Sequence, residues 1–343
     1  TLGISGIKLL ASIGLMRSYW FSLQKQFKDP RLQQLFGRYA TYVGSSPWSA
    51  PATLMLIPHV EMRGVWSVEG GMVELTRAMV RVSRKMGVRF HQNYCEEILT
   101  YKGHVSGVRL KDGNSILAEN IIFNGDVSAL SRGLLGEKVK IASKEIKISE
   151  RSLSALTWTV HGEVNNFELS RHNVFFNNNY NNEFIDIFKK QQLPRSPTVY
   201  ICAQDRGFTN KQKKGCERLF ILVNAPATGD NQKITEMEYQ ICQLSAVSLM
   251  RNCGLSIKTN QKSWIQSTPV DFHRRFPSTG GSLYGRRTHG WLTPFQRPNS
   301  RSKIPGLYLS GGSVHPGPGI PMATISGQLA AEALMEDLGL TKK

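Results

Sequence analysis

Gly306-Leu307-Tyr308-Leu309-Ser310-Gly311-Gly312-Ser313-Val314-His315-Pro316-Gly317-Pro318-Gly319-Ile320-Pro321-Met322 decides how this chain is read. The first five residues spell a short buried strand. A glycine-rich turn follows, and Pro321 opens a helix whose apolar residues Met322, Ile325, Leu329, Ala333 and Leu334 fall on one face. A strand, a glycine turn and a helix start form an anion site in principle, because first-turn amides point outward and glycine lets a ligand approach the backbone. Packing of a β-turn-α unit is the competing explanation. Gly317 to Met322 nearly matches the dinucleotide fingerprint but fails on context, since that fingerprint needs a further strand ending in an acidic residue some 20 positions on. The run is therefore predicted to be the closing piece of a nucleotide fold begun elsewhere.

Upstream of this turn the charge is one-sided. The 343 residues carry 43 Lys and Arg against 25 Asp and Glu, a net charge of +18. Between Phe272 and Ala331 there is no acidic residue, while Arg274, Arg275, Arg286, Arg287, Arg297, Arg301 and Lys303 all fall there. Such an imbalance attracts nucleic acid, anionic lipid or anionic ligands. The composition, 40% hydrophobic and 20% charged, is that of a globular chain long enough for two domains, and no apolar run reaches membrane-spanning length. Cys95, Cys202, Cys216, Cys242 and Cys253 show no metal or disulfide spacing and read as reduced, mostly buried thiols in a cytosolic setting. The chain begins at Thr1 and is expected to be the downstream part of a longer protein.

From the N-terminus, Gly3 to Phe27 has helical spacing and reads as a core helix or, as the alternative, a membrane-surface one. Asp29-Pro30 starts the next helix as N-cap and first residue. Paired Gly70-Gly71 precede a helix from Met72 to Met86 that Gly87 stops. Short strands are predicted at 88–90, 97–101 and 105–110, with Asp112-Gly113 as a hairpin turn, and a buried strand spans Ala118 to Asp126, ending in polar Asn124-Gly125-Asp126. Beyond Val127 the strands lengthen: 156–160, 174–176, 198–203 and 219–224 read as a mixed or antiparallel sheet. Residues 177–182 and 209–215 read as solvated loops, and 234–251 and 271–276 as helices.

No G-x-S-x-G elbow, H-E-x-x-H, phosphate-loop lysine motif or metal cluster is present. His315 is the one histidine singled out, since in a glycine-rich turn it can donate to a cofactor oxygen while neutral.

The terminal run resembles the C-terminal flavin motif of the bacterial phytoene desaturase family, near its hydroxycarotenoid 3,4-desaturase branch. Thr198 to Arg206, Leu222 to Ala227 and Thr279 to Gly285 suggest the same branch, and Phe27 to Leu32 with Gly70-Gly71-Met72 resemble the general pattern. The resemblance runs over essentially the whole chain. It implies an α/β fold: an incomplete FAD-binding Rossmann-like domain of glutathione-reductase type, from 65–127 and 300–343, plus a substrate and membrane-associating domain of mixed or antiparallel sheet with helices, from 1–64 and 128–299. It implies FAD-dependent desaturation of an acyclic 1-hydroxy- or methoxy-carotenoid by a cytoplasmic, peripheral membrane protein at an anionic lipid surface. The N-terminal segment that grips the ADP half of FAD is missing from this sequence, so the chain as given is expected to be an inactive fragment. Gly311, Gly312, Ser313, His315, Gly317, Gly319, Pro321 and Met322 are placed by the flavin and its phosphates, with Asn124 and Asp126 near the same face. Tyr284, Trp291 and Phe295 are candidate channel walls, with core packing as the alternative. Asp205 and Arg206 are read either as orienting a hydroxylated substrate end or as an ion pair. Phytoene desaturase, retinoid saturase or amine oxidase chemistry on the same scaffold is the alternative enzyme reading. A basic nucleic-acid-binding protein is the non-enzymatic one, with no recognisable module behind it.

Overall fold

The computed structural model describes residues 17–207, 215–231, 233–259 and 263–340. Of the helix predicted over 3–27, residues 3–16 lie outside the described residues and 19–26 are helical, and the predicted loop at 209–215 lies almost wholly outside the described residues.

Two short helices open the described chain, α1 (Tyr19–Gln26) and α2 (Pro30–Gly37). Asp29 caps α2 as predicted, its carboxylate accepting from the Arg31 amide at 2.8 Å with Pro30 behind it. Tyr19 and Leu23 are fully buried against Ala40, Ala50 and Leu54. Helices α3 (Leu56–Glu61) and α4 (Val73–Lys85) follow, and α4 leaves Met79 and Val82 more than half exposed. Strands β1 (Cys95–Tyr101), β2 (His104–Leu110) and β3 (Ser115–Leu117) form an antiparallel meander, with Asp112-Gly113 in the predicted turn. Residues 88–90, expected as a strand, have no ladder partner and remain irregular.

The predicted strand at 118–126 contracts to β4 (Ile121–Phe123). Its last polar residues turn into α5 (Val127–Ser131), because Asp126 caps that helix by accepting from the Ser128 amide at 2.9 Å. The chain then enters a six-stranded antiparallel sheet. It comprises β5 (Ser154–Asn165), β6 (His172–Phe175), β7 (Val199–Ala203), β8 (Cys216–Ala225), β9 (Ser256–Lys258) and β10 (Trp264–Ser267). The order is β10-β5-β8-β7-β6, with β9 pairing the far end of β5. Leu219, Ile221 and Val223 recur at the two-residue period of a strand and are fully buried. Helix α7 (Glu236–Asn252) covers them with Tyr239, Cys242, Ala246 and Met250. Thr235 and Glu238 cap its start reciprocally. Residues 177–182, read as a loop tip, instead lead into α6 (Tyr180–Ile185), since Tyr180 and Phe184, one turn apart, both pack on Trp48 at 5.8 Å. Helix α8 (Pro269–Arg275) follows the sheet.

The chain returns to β4 through β11 (Leu307–Leu309), which pairs it in parallel register, Leu307 with Ile121 and Leu309 with Phe123. Helix α9 (Ile320–Asp337) then lies over β11. Its buried residues are Ser326, Ala330 and Ala333, and the predicted apolar face is partly open, Met322 being 39% and Ile325 42% exposed. Small residues let the helix sit close to the strand, so the large ones turn outward. All five cysteines are free as expected, but Cys95, Cys216 and Cys253 are exposed and only Cys242 is buried. Their being mostly buried is thus corrected: the first two lie at strand ends and the third just beyond α7.

Candidate cofactor-binding site

The Ser310 amide donates to the Phe123 carbonyl at 3.0 Å, carrying the parallel ladder one residue past β11. Gly311 then bends the chain away with φ +110°, and a Cβ there would stand 2.8 Å from Asn124 Oδ1. Its amide donates to Ser326 Oγ at 3.1 Å, fastening the turn to α9. Ser313 Oγ accepts from the Val127 amide at 3.2 Å, which satisfies a first-turn donor of α5. Asn124 and the residue after Asp126 thus both touch the glycine turn. Asp126 is engaged as a helix cap, and the His315 amide donates to the Pro298 carbonyl at 2.9 Å. The His315–Pro316 peptide is cis.

Gly317 and Gly319 have φ of +133° and +106°, a region that side-chain-bearing residues rarely adopt. Gly319 is the N-cap of α9, and no side chain caps that helix. The first-turn amides of Ile320 and Met322 thus have no intrahelical acceptor. Nothing lies within 4 Å of a Cβ added at Gly319, and only Pro318 Cα at 3.7 Å near one at Gly312. An uncapped helix start facing open space beside exposed Ile320 and Met322 fits one part of a flavin nucleotide. Amides suit its carbonyl and phosphate oxygens, and the apolar side chains suit its flat ring.

One residue that sequence reasoning counted only as charge organises the turn from behind. Arg297 is 4% exposed, and its guanidinium donates to the carbonyls of Gly312 (3.1 Å), Tyr284 (3.0 Å) and Arg286 (2.7 Å). Burial pushes its pKa down to about 10, with Asp126 acting in the opposite sense. Tyr284 is drawn to the turn in this way. Trp291 and Phe295 are not brought into one enclosed wall with it, being 41% and 73% exposed.

Two of the three inner motifs that carried the resemblance, Leu222 to Ala227 and Thr279 to Gly285, meet at a second buried arginine. Arg151 donates to Asp230 Oδ1 and Oδ2 at 2.8 and 2.6 Å and to the Ala227 carbonyl at 3.0 Å. A Cβ on Gly280 would lie 2.0 Å from its Nη1, and one on Gly281 2.4 Å from the Pro269 carbonyl. Thr279 to Gly285 and Leu222 to Ala227 are thus constrained by close packing. Asp205 and Arg206 do not pair with each other. Each binds across to β8, Arg206 to Glu217 and Asp205 to Arg218, because their side chains leave the β7 end in different directions.

His289, in the same loop system, packs edge-on against Phe188 at 4.8 Å, and burial followed by the neighbouring Arg287 pushes its pKa down to about 3. A depressed histidine pKa means that the unfolded state takes up the proton first. Stability should be complete above the unfolded value of about 6.5 and fall as pH drops towards 3. At pH about 5.5 the loss from this residue should be about 1.4 kcal/mol. Urea unfolding at pH about 7.5 and 5.5 checks this: His289→Gln should show a smaller acid loss by that amount, and an unchanged loss would refute it.

A terminal parallel strand pair with a glycine turn into a helix, set beside a large antiparallel sheet, is the fold of a flavin oxidoreductase. Solved structures share it: an oxidoreductase from Methanosarcina mazei (TM-score 0.57, 13% identity, 96% of this chain and 71% of that one) and putrescine oxidase bound to putrescine (0.51, 13%, 95% and 69%). A family model described as flavin containing amine oxidoreductase matches residues 22–335, and the chain belongs to that family. It is 50% identical over 343 residues to hydroxyneurosporene desaturase of Rubrivivax gelatinosus, covering 100% of this chain and 65% of that protein. It is 40% identical over 316 residues to hydroxyneurosporene desaturase of Rhodobacter capsulatus (92% and 63%). Identity to a 1-hydroxycarotenoid 3,4-desaturase of a Flavobacterium species is 34% over 316 residues (90% and 63%). The chain thus spans somewhat under two thirds of the length of these relatives.

Proposed function

We propose that this chain forms part of an FAD-dependent desaturase that introduces a double bond into an acyclic carotenoid bearing a 1-hydroxy or methoxy group. The observation that carries the reading is the 50% identity across all of this chain to a hydroxyneurosporene desaturase. The open, uncapped start of α9 supports it physically.

When bound, FAD would supply the two-electron acceptor for a hydride leaving one carbon of a saturated pair while the other carbon loses a proton. The chain's own contribution is placement. Gly311, Gly312 and Ser313 hold the turn against Asn124 and α5, Gly317 and Gly319 keep its far side open, and the amides beside Pro321 and Met322 receive cofactor oxygens. His315 is the candidate to hydrogen-bond the cofactor edge, and Tyr284, with Trp291 and Phe295 nearer the surface, the candidate to meet the polyene. In this reading 65–127 and 300–343 form the cofactor domain and 1–64 and 128–299 the substrate domain. A division into two units is supported by one buried cluster that joins Ile98, Val105, Leu307 and Val314 and another built on Leu156, Ile201, Ile221 and Met250, although Leu130, Val139 and Ile146 pack in the first cluster and favour a boundary beyond residue 146. An anionic membrane surface is the proposed source of substrate. Phe21, Leu35, Tyr42, Leu56 and Val60 are exposed, and Arg17 and Lys25 lie over the Phe21 ring at 5.2 and 5.1 Å. No helix among the described residues is long and apolar enough to cross a membrane.

The test is to express the complete coding region, confirm bound flavin, and incubate the protein with hydroxyneurosporene. A red-shifted carotenoid spectrum and a product two hydrogens lighter are expected. Flavin-loaded protein that leaves the carotenoid unchanged but oxidises an amine would overturn the reading in favour of amine oxidase chemistry.

A further inference from the structure

We propose that a cavity behind the glycine turn binds a second, phosphate-bearing anion at a site that shares only Ser313 with the turn. The cavity, of about 620 Å³, lies where the chain passes twice between the parallel strand pair and the large sheet. Residues between Ile141 and Ile146, Glu145 excepted, line one side and residues between Phe295 and Lys303, Ser300 excepted, the other, together with Val127 and Ser313. None of Asn124, Gly317, Gly319, Pro321 or Met322 lines it.

The lining holds Lys144, Arg286, Arg297, Arg301 and Lys303 and no carboxylate. Arg286 is paired with Glu150, and Arg301 with Glu336 and Asp337 at 2.7 and 3.0 Å. Lys144 and Lys303 have no ion pair among the described residues, and the buried Arg297 is held only by backbone carbonyls. Lys144 and Lys303, with no carboxylate partner among the described residues, and Arg297, which has only the attraction of Asp126 and no ion pair there, therefore line one concave volume, which concentrates an anion far more than the same charges spread on a convex surface. The volume suits a molecule larger than inorganic phosphate. Ser143, Asn299 and Ser302 can meet its hydroxyls, while Ile146 and Phe295 offer apolar contact. The shared chemistry is a phosphate or diphosphate on a partly apolar body, met in soluble phosphate esters and in lipid headgroups.

Pyrophosphate titrated by calorimetry into the flavin-loaded, full-length protein at about 150 mM salt tests the site, since screening suppresses unspecific attraction to the +18 chain. Lys144→Gln/Lys303→Gln should weaken pyrophosphate at least about tenfold, two charge-assisted contacts being lost. Flavin content should be unchanged, both lysines being exposed. Lys233→Gln/Lys258→Gln, with the same change in net charge at exposed positions away from the cavity, should leave binding intact. Equal weakening in both variants, or none in either, would overturn the proposal. Parallel titrations with ADP and with phosphatidylglycerol vesicles distinguish the sources: the probe that binds more tightly and loses affinity only in the pocket variant identifies the ligand, and the loss itself supports the site in either case.

Discussion

Gly319→Val should strip the flavin from the complete protein while leaving the fold in place. Gly319 occupies φ +106°, ψ +145°, a conformation essentially confined to glycine, with nothing within 4 Å of the position a Cβ would take. A branched side chain therefore meets no protein wall, but it forces the backbone to relax just where the unpaired amides of α9 begin. The conformational cost is about 1–3 kcal/mol, which, if it falls on the bound geometry, lowers flavin affinity about five- to 150-fold. The control is Gly339→Val at the other end of the same helix, where φ is +68° and the space is equally open. It should lower the melting temperature comparably and leave the ratio of flavin to protein absorbance after gel filtration unchanged. Flavin retained in Gly319→Val at the wild-type ratio would remove the turn from the cofactor site, whereas loss in both variants would show that general strain is enough.

The strand-turn-helix at the chain end was legible because its signals are local. A buried tripeptide, glycines and a proline at the helix start act within a few residues of one another, and β11, the turn and α9 follow from them. The alternation in β8 and the Asp29-Pro30 start were legible for the same reason. What stayed hidden depends on partners distant in sequence. The short extent of β4 follows its three-residue pairing with β11, and a second first-turn donor of α5, the Val127 amide, is taken by Ser313, nearly two hundred residues on. Arg297 read as one more charge in a basic segment. Its role comes from three carbonyls on two other loops, and the sequence carried no sign of burial beyond its place just before Pro298 and the turn. The outer face of α9 was misassigned because helical periodicity marks apolar residues and is blind to close approach through Ser326 and Ala330.

Arg206 and Glu217 should show the largest stability effect of any side-chain pair discussed. Glu217 is 1% exposed and takes both a 2.8 Å bond from Arg206 Nε and a 2.6 Å bond from Nη2. The remaining nitrogen of Arg206 donates to the Leu169 carbonyl. Arg206→Met would leave a buried carboxylate without its counter-ion, which costs about 3–5 kcal/mol, because desolvation is already complete and only the compensation is removed. Arg206→Met/Glu217→Leu removes both charges and should recover most of that loss, since an apolar pair of similar size is often as stable as a buried salt bridge. The neighbouring pair of Asp205 and Arg218 has the same 2.6 Å contact, but the Arg218 side chain is 64% exposed. Solvent screening limits that pair to below about 1 kcal/mol. Urea unfolding of the single and double variants of both pairs gives two coupling energies, expected at several kcal/mol for Arg206 with Glu217 and within error of zero to about 1 for Asp205 with Arg218. Equal coupling energies would mean that Arg206 and Glu217 are hydrated in solution. The end of β7 would then be held chiefly by its backbone ladders to β6 and β8, and the Thr198 to Arg206 motif would need an explanation other than this buried pair.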